Sequence, residues 1–223
     1  MHADTDQPAA FGLYPRLWCG LFSAVLIWSA IAPKDGFTWL LEVLPALIGI
    51  VLLALTRKHF PLTPLLYVLI LVHSIVLMIG GHYTYAEVPL FDWLKEPLGF
   101  ERNHYDKVGH FMQGFAPAIL AREILLRLAV VNGRRWTVLM VISLCLAFSA
   151  FYELLEWWVA ELSGTAAEAF LGTQGYIWDT QSDMAFALIG AMSALICLSN
   201  WHDRQISKLL RCTKPSPERA RAS

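Results

Sequence analysis

Apolar residues are arranged along this chain in long blocks separated by short polar stretches. Six blocks approach the roughly 20 apolar residues that a helix needs to cross the hydrocarbon core of a bilayer. These blocks cover residues 17–32, 37–55, 63–81, 107–130, 136–159 and 180–200. The pattern predicts an all-α, polytopic membrane protein built as a bundle of six transmembrane helices.

The first block is short, and it ends in SAIAP, which resembles a signal-peptidase site. The amino terminus is acidic rather than basic, however, and Pro33 follows the candidate cleavage point. A secretory signal peptide normally begins with a basic region. We therefore expect the first block to be retained as a signal anchor.

The blocks divide the chain into three regions. We expect a cytoplasmic segment over residues 1–16, a transmembrane domain over 17–200 and a basic cytoplasmic tail over 201–223. The longest loop, residues 82–106, contains AEVPLFDWLKEPLGF, in which aromatic and leucine residues alternate with charges and two prolines. This composition predicts a short segment lying in the periplasmic membrane interface.

Composition supports the same class. Hydrophobic residues make up 57% of the chain and charged residues 16%, whereas soluble domains have about 45–50% and about 25%. The net charge of −1 gives no indication of nucleic-acid binding. The four cysteines form no CxxC pair, so we interpret them as free thiols rather than a disulfide framework or a zinc site. Motifs of P-loop ATPases, dinucleotide-binding enzymes and serine hydrolases are absent from the sequence.

Charge predicts the orientation of the bundle. Lysine and arginine are enriched in cytoplasmic loops. With the amino terminus inside, 13 of the 17 basic residues fall on the cytoplasmic side. The four on the outer side are Lys34, Lys95, Arg102 and Lys107. Both termini are therefore predicted to be cytoplasmic.

Five of the six blocks also carry polar side chains at the depth of the outer leaflet. A charge in hydrocarbon costs several kcal/mol, so such groups should face one another rather than lipid. Asp106 and His110 stand about 40° apart on one helix, as do two aspartates on the last helix, since each residue turns the helix by about 100°. We expect one shared pocket formed by Glu42, Asp106, His110, Gln113, Glu153, Glu156, Asp179 and Asp183.

Other polar and aromatic residues have simpler interpretations. Glu42 alone could instead reach the interface. His73 is expected to be a packing histidine, and Glu123 is expected to pair with Arg127 one helical turn away. Four aromatic residues are interpreted as anchors at the membrane interface, namely Tyr83, Tyr85, Trp157 and Trp158.

Three motifs carry a family resemblance. They are NHYDKVGHF (103–111), FYELLEWW (151–158) and GTQGYIWDTQSDMAFALIGA (172–191). In these motifs and over most of residues 15–200 the chain resembles the YjdF-type family of uncharacterised bacterial inner-membrane proteins. The resemblance implies a multi-pass protein of the inner membrane and brings no activity with it.

The order D-K-x-x-H-F, a glutamate-bearing helix and then D-x-x-x-D is also similar to the VanZ-like family, which is linked to glycopeptide resistance. The matching positions are Asp106, Lys107, His110, Phe111, Glu153 and Asp183. The chain departs from that family at Ala187, where VanZ-like proteins tend to carry asparagine. We take only the architecture from this similarity.

The polar residues suggest, first, an intramembrane metal-dependent hydrolase or transferase with a lipid-like substrate. Histidine with carboxylates suits zinc, manganese or ferrous iron. The predicted metal ligands are His110 and one or both of Asp179 and Asp183, with His82 or His104 completing the set. The predicted catalytic residues are Glu153, Glu156 and Asp106, with one of the glutamates as general base. The predicted substrate-binding residues are Arg102, Lys107, Tyr83 and Asn103, the two cations holding a lipid phosphate.

Two other functions remain open. In a transporter or lipid-binding protein the carboxylates would form a proton or cation site for a small polar solute or lipid. In a structural or accessory membrane protein the polar residues would only hold the helices together. The sequence alone does not decide whether the protein is an enzyme, and the partner common to all three functions is the lipid bilayer.

Overall fold

The computed structural model describes residues 14–163, 168–171 and 173–213. Within these ranges the chain is helical and contains no strand, which confirms the all-α prediction. The helices are α1 (Tyr14–Ala30), α2 (Gly36–Thr56), α3 (Pro64–Tyr83), α4 (Pro89–Leu98), α5 (Tyr105–Arg127), α6 (Arg134–Ser163), the single turn α7 (Glu168–Leu171) and α8 (Asp179–Thr213).

Six of these helices correspond to the six apolar blocks. Four of them, α2, α3, α6 and α8, are long and apolar enough to cross a membrane. The other two helices do not meet both conditions. Helix α1 is short, with only 17 residues, and α5 carries many polar side chains. Helix α4 lies within the predicted interfacial loop and has no buried residue. The ends of the predicted cytoplasmic segments, residues 1–13 and 214–223, lie outside the described residues.

Local sequence explains where several helices begin. The Asp35 carboxylate accepts a hydrogen bond from the Thr38 backbone N–H at 2.7 Å, so Asp35 is the N-cap of α2. This bond also holds the pKa of Asp35 below its usual 3.8. Helices α3 and α4 each begin with proline, which lacks the N–H that a first turn leaves unsatisfied.

Helix α5 lies at the centre of the bundle and packs against α3, α6 and α8. Its apolar contacts belong to a core that includes Leu66 of α3, Ile119 of α5, Val141 of α6 and Ala191 of α8. Helices α1 and α2 pack on α3 from the other side through Phe22, Val43 and Met78. The polar character of α5 is therefore compatible with a membrane setting, because neighbouring helices enclose it.

Helices α5 and α8 cross at very short distance. A Cβ atom at Gly114 of α5 would collide with the Ala187 carbonyl and lie 2.9 Å from the Ala191 backbone nitrogen. A Cβ atom at Gly190 of α8 would likewise collide with the Phe111 carbonyl. Glycine is needed at both positions because the backbones themselves are in contact.

A buried polar network joins α5, α8 and the turn before α3. The Glu123 carboxylate, which is fully buried, accepts hydrogen bonds from the Thr63 hydroxyl at 2.7 Å and from Arg127 at 2.7 Å. The Nε2 atom of buried His202 lies 2.9 Å from the same carboxylate. The predicted Glu123–Arg127 pair is thus confirmed, and His202 and Thr63 complete it.

Candidate functional site

The first turns of α5 and α8 bring three aspartates around one buried ammonium group. The Nζ atom of Lys107 lies 3.1 Å from Asp106 Oδ2 and 3.0 Å from Asp179 Oδ1, and it also donates to Asp183 Oδ1. All four side chains are buried. Such a site forms because the close crossing of α5 and α8 places their polar first turns side by side.

The imidazole of His110 lies one turn further along α5 and faces carboxylates as well. Its Nε2 atom is 3.2 Å from Asp106 Oδ1 and 3.8 Å from Asp183 Oδ2. Its Nδ1 atom is 3.2 Å from Gln113 Oε1. Acceptors on both ring nitrogens suit either an imidazolium or a neutral imidazole that donates from Nδ1 and binds a cation through Nε2.

The distances around His110 resemble those of a metal site. One donor atom each from Asp106, His110 and Asp183 lie within 4.8 Å of one another. Ligand bonds of about 2.0–2.2 Å in tetrahedral geometry separate neighbouring donor atoms by about 3.3–3.6 Å. The measured separations of 3.2 and 3.8 Å bracket this range. Lys107 holds the outer oxygens of both aspartates, so that Asp106 Oδ1 and Asp183 Oδ2 face the imidazole.

Glu153 of α6 faces the same group. Its Oε1 atom lies 3.9 Å from His110 Nδ1 and has no hydrogen-bond partner among the described residues. The hydroxyl of Ser149, one turn earlier on α6, is also buried without a described partner. A buried acceptor without a partner is costly, at about 1–3 kcal/mol. This edge of the site is therefore suited to a proton donor or a cation.

Charge is not balanced within the site. Among the described residues, four carboxylates face two permanent cations, Lys107 and Arg102; the carboxylates are those of Asp106, Asp179, Asp183 and Glu153. Arg102 is committed to Asp179 at 2.6 Å and to the Thr173 carbonyl at 3.0 Å. The surplus of carboxylates calls for further positive charge, from a proton, an imidazolium or a metal ion.

Asp179 therefore has a different environment from the one predicted. Its carboxylate lies between Arg102 and Lys107, whereas Asp106, which we expected to act in catalysis, is the residue grouped with His110 and Asp183. Both predicted phosphate-binding cations are occupied by these carboxylates. Asn103 is likewise engaged, because its side-chain amide donates to the Val88 carbonyl at 3.0 Å and its carbonyl accepts from the Tyr105 N–H at 3.1 Å.

Three further candidates lie away from this group. The His82 ring packs on Trp28 at 4.6 Å between centroids, and its Nδ1 atom contacts the Ser29 carbonyl at 3.0 Å. Tyr83 packs beside His82 and Trp28. His104 packs against Phe100, and partial burial together with the neighbouring Arg102 and Lys107 lowers its pKa. The structure does not bring His82, Tyr83 or His104 together with Asp106, His110 and Asp183.

Tyr85 differs most from expectation, because it is not an aromatic anchor at the interface. It is 6% exposed, and its ring is inserted between Gly80 of α3 and Gly109 of α5. Tyr85 lines the same cavity as Glu42 of α2, which is also buried rather than extended to the interface. The glycines that leave room for the ring were the signal in the sequence for this position. Gly109 in particular immediately precedes His110.

A cavity of about 540 Å³ adjoins the polar group and runs along α2 and α5. Its polar end is lined by Glu42, Tyr85, Asp106, His110, Gln113, Tyr152 and Glu156. The rest is mostly apolar, although His73 and Ser74 of α3 also line it. Small-molecule sites are typically of about 300–1,000 Å³, apolar and with a few convergent polar groups.

Residues 14–204 match the family described as "Predicted membrane protein (DUF2238)". The chain belongs to this family. It is also 52% identical over 184 residues to the inner membrane protein YjdF of Escherichia coli strain K12, an alignment that covers 82% of this chain and 88% of that protein. No solved structure matches the chain. The resemblance to the YjdF-type family is thus confirmed, and the chain is a membrane protein.

The match to the DUF2238 family includes all the residues of the polar site and of the cavity beside it. It ends at residue 204, within the last part of α8. The region shared with the family therefore contains the complete site and leaves out the end of the basic tail.

Proposed function

We propose that this chain is an intramembrane metal-dependent hydrolase or transferase that acts on a lipid-like substrate near the periplasmic face of the inner membrane. One observation carries the proposal. Asp106, His110 and Asp183 place one donor atom each within 4.8 Å of one another, while Lys107 holds the outer oxygens of both carboxylates. A second shell of this kind fixes the orientation of metal ligands.

The roles of the residues follow from their contacts. Asp106, His110 and Asp183 would hold a divalent cation such as zinc, which lowers the pKa of a bound water and generates a nucleophile. Glu153, with its unpartnered oxygen beside His110, is the general base. Glu156 lines the cavity and is suited to proton transfer on the substrate side. Lys107 and Arg102 position carboxylates rather than a lipid phosphate.

We propose a topology of six transmembrane helices with both termini in the cytoplasm. The ion pair between Arg122 and Asp203, and the bond from Arg127 to the Pro61 carbonyl, join the end of α5, the α2–α3 turn and the later part of α8 at one end of the bundle. The pairing of Arg102 with Asp179 joins the starts of α5 and α8 at the other. Enclosure of α5 by its neighbours supports a sixth span despite its polarity.

Metal content of the purified protein tests the proposed function. We expect roughly one divalent transition-metal ion per chain, measured by elemental analysis of protein in lipid nanodiscs, because the described part of the chain contains one such group of three ligands. His110→Ala should lose the metal, while His73→Ala should retain it. His73 is a matched control, since it lines the same cavity without belonging to the group of three donor atoms.

Wild-type protein without bound metal, or a His110→Ala variant that keeps it, would overturn the metal site. Asp183→Asn adds a separate check. If this variant folds and loses the metal, the carboxylate acts as a ligand. If it fails to fold, the polar residues serve as a clamp between helices, as in a structural protein.

Proton or cation transport is a second candidate, favoured by one observation. The cavity continues from Glu42 and Glu156 past His73 and Ser74 toward Thr56, so polar groups are present beyond the outer site. Transport predicts an ion flux in proteoliposomes that His73→Leu abolishes. An enzyme should give no ion flux, either as the wild-type protein or as the His73→Leu variant.

A further inference from the structure

The cavity beside the polar site has two walls, a floor and a lateral opening. Its floor consists of α3 and α5, which pack against each other, and its walls consist of α2 and α6. Leu52 of α2 and Phe148 of α6 line the cavity, yet they are 54% and 50% exposed. The cavity therefore opens to the surface of the bundle between α2 and α6, at a depth where acyl chains surround the protein.

The single turn α7 packs across the outer end of this opening. It contacts both α2 and α6, and the buried side chain of Phe170 lines the cavity. The opening between α2 and α6 thus offers a ligand a lateral path from the bilayer.

The cavity is long. Its lining on α2 extends from Glu42 to Thr56, which corresponds to about 21 Å at 1.5 Å per residue. This length suits a hydrocarbon chain lying along α2.

The polar end of the cavity is acidic. Glu42, Asp106 and Glu156 line it, together with His110 and the phenols of Tyr85 and Tyr152. No lysine or arginine is among the lining residues that the structure describes. Asp106 and His110 are proposed metal ligands, which leaves Glu42 and Glu156 without a cation of their own. An ammonium group would complement these two carboxylates, whereas a phosphate or carboxylate beside them would be repelled.

We propose that this cavity binds an amphiphile with an ammonium head group, which enters from the bilayer between α2 and α6. A hydrocarbon chain lies along α2 and α5, and the ammonium group lies between Glu42 and Glu156. As the substrate class of the same site, this inference rests on the proposed function. The cavity shares Asp106 and His110 with the proposed metal ligands, whereas Glu42 and Gly49 belong to the cavity alone.

Photolabelling in lipid nanodiscs tests the inference. The probe is a long-chain alkylammonium ion with a diazirine at mid-chain, and its counterpart is a carboxylate with the same chain and diazirine. We expect the ammonium probe to label the cavity segments of α2 and α5, and the carboxylate probe to label them several-fold less. Equal labelling by both probes would overturn the ammonium head group.

Filling the cavity provides the decisive variant. Gly49 lines the cavity, and a Cβ atom there would meet nothing within 4 Å, so Gly49→Trp introduces an indole without a backbone collision. Gly20→Trp on α1 is the matched control, since that position is also open and does not line the cavity. Gly49→Trp should reduce cavity labelling by about tenfold, a loss equivalent to 1.4 kcal/mol of affinity. Undiminished labelling would place the chain elsewhere.

The head group is tested with Glu42→Gln against Glu161→Gln, whose site is exposed on α6. The first variant should remove the preference for the ammonium probe and the second should keep it. Metal content measured on the same preparations separates this inference from the proposed function. Gly49→Trp should keep its metal while losing the probe, and absence of metal with intact ammonium selectivity would overturn only the enzyme.

Discussion

Lys107 has a different role from the one that its sequence position suggests. A lysine at the mouth of a membrane helix is expected to bind lipid phosphate, but three aspartates surround this one, and its side chain is 7% exposed. It therefore compensates buried carboxylates and sets the direction of their free oxygens. Its contribution is to the geometry of the site and to the stability of the bundle at once.

Replacement of Lys107 should destabilise the protein strongly. Lys107→Met removes the ammonium group from three buried carboxylates, of which only Asp179 keeps a permanent cation, Arg102. Removal of one partner from a buried ion pair costs about 3–5 kcal/mol. The free energy of unfolding can be measured by circular dichroism during titration with a denaturing detergent. Lys34→Met is the control, because Lys34 pairs with Glu87 at the surface, with side chains 44% and 55% exposed, and such pairs contribute at most about 1 kcal/mol. Equal effects of the two variants would contradict this role.

Part of the site was accessible from sequence because it is local. Asp106 and His110 are one turn apart on a single helix, and their contact at 3.2 Å follows from helical periodicity. Whether Asp179 or Asp183 faces His110 depends on the rotation of α8 about its axis relative to α5. That rotation is fixed by packing between the helices, which the spacing of residues within one helix does not reveal.

The crossing of α5 and α8 is the element-level feature on which the site depends. It places Lys107 and His110 of α5 beside Asp183 of α8, and glycines at the crossing permit the approach. The positions of the helices were predictable from hydrophobic blocks. The crossing was not, since a glycine in a membrane helix can equally be exposed to lipid, as Gly20 is here.

A single methyl group at this crossing should disrupt the site. In Gly114→Ala the added Cβ collides with the backbone of Ala187, which cannot move aside as a flexible side chain could. We expect a loss of about 3 kcal/mol or more in the free energy of unfolding, at the upper end of overpacking effects. In Gly20→Ala the added methyl group meets nothing, and better helix propensity should leave stability unchanged or raised by up to about 1 kcal/mol. The same detergent titration compares the two, and tolerance of Gly114→Ala would rule out the close crossing.

The two ends of the bundle differ in how completely their polar groups are satisfied. The Glu123 carboxylate has hydrogen-bond partners on both oxygens, whereas Glu153 in the other cluster has an oxygen without a described partner. Sequence predicted the Glu123–Arg127 pair but not His202, because that residue lies beyond the predicted end of the last span at 200. The apolar block ended there, while α8 itself continues to Thr213.

Topology can be tested on the whole molecule with reporter fusions. A fluorescent protein joined after Arg211 should fold and emit in the cytoplasm, and alkaline phosphatase inserted after Glu101 should be active in the periplasm. The distribution of 13 basic residues against four among the 17 supports this orientation. If alkaline phosphatase joined after Arg211 were active instead, the chain would need an odd number of spans or an inverted bundle.

The length of α8 links distant parts of the molecule. This helix has 35 residues and is about 52 Å long, well beyond the roughly 30 Å of a bilayer core. Asp183 is near one end, and Arg204, Lys208 and Arg211 are near the other. A continuous rod has a single tilt angle, so any force that leans its basic end against a membrane surface also shifts the aspartate at the opposite end. The geometry around His110 is thus mechanically coupled to the tilt of the basic end of α8.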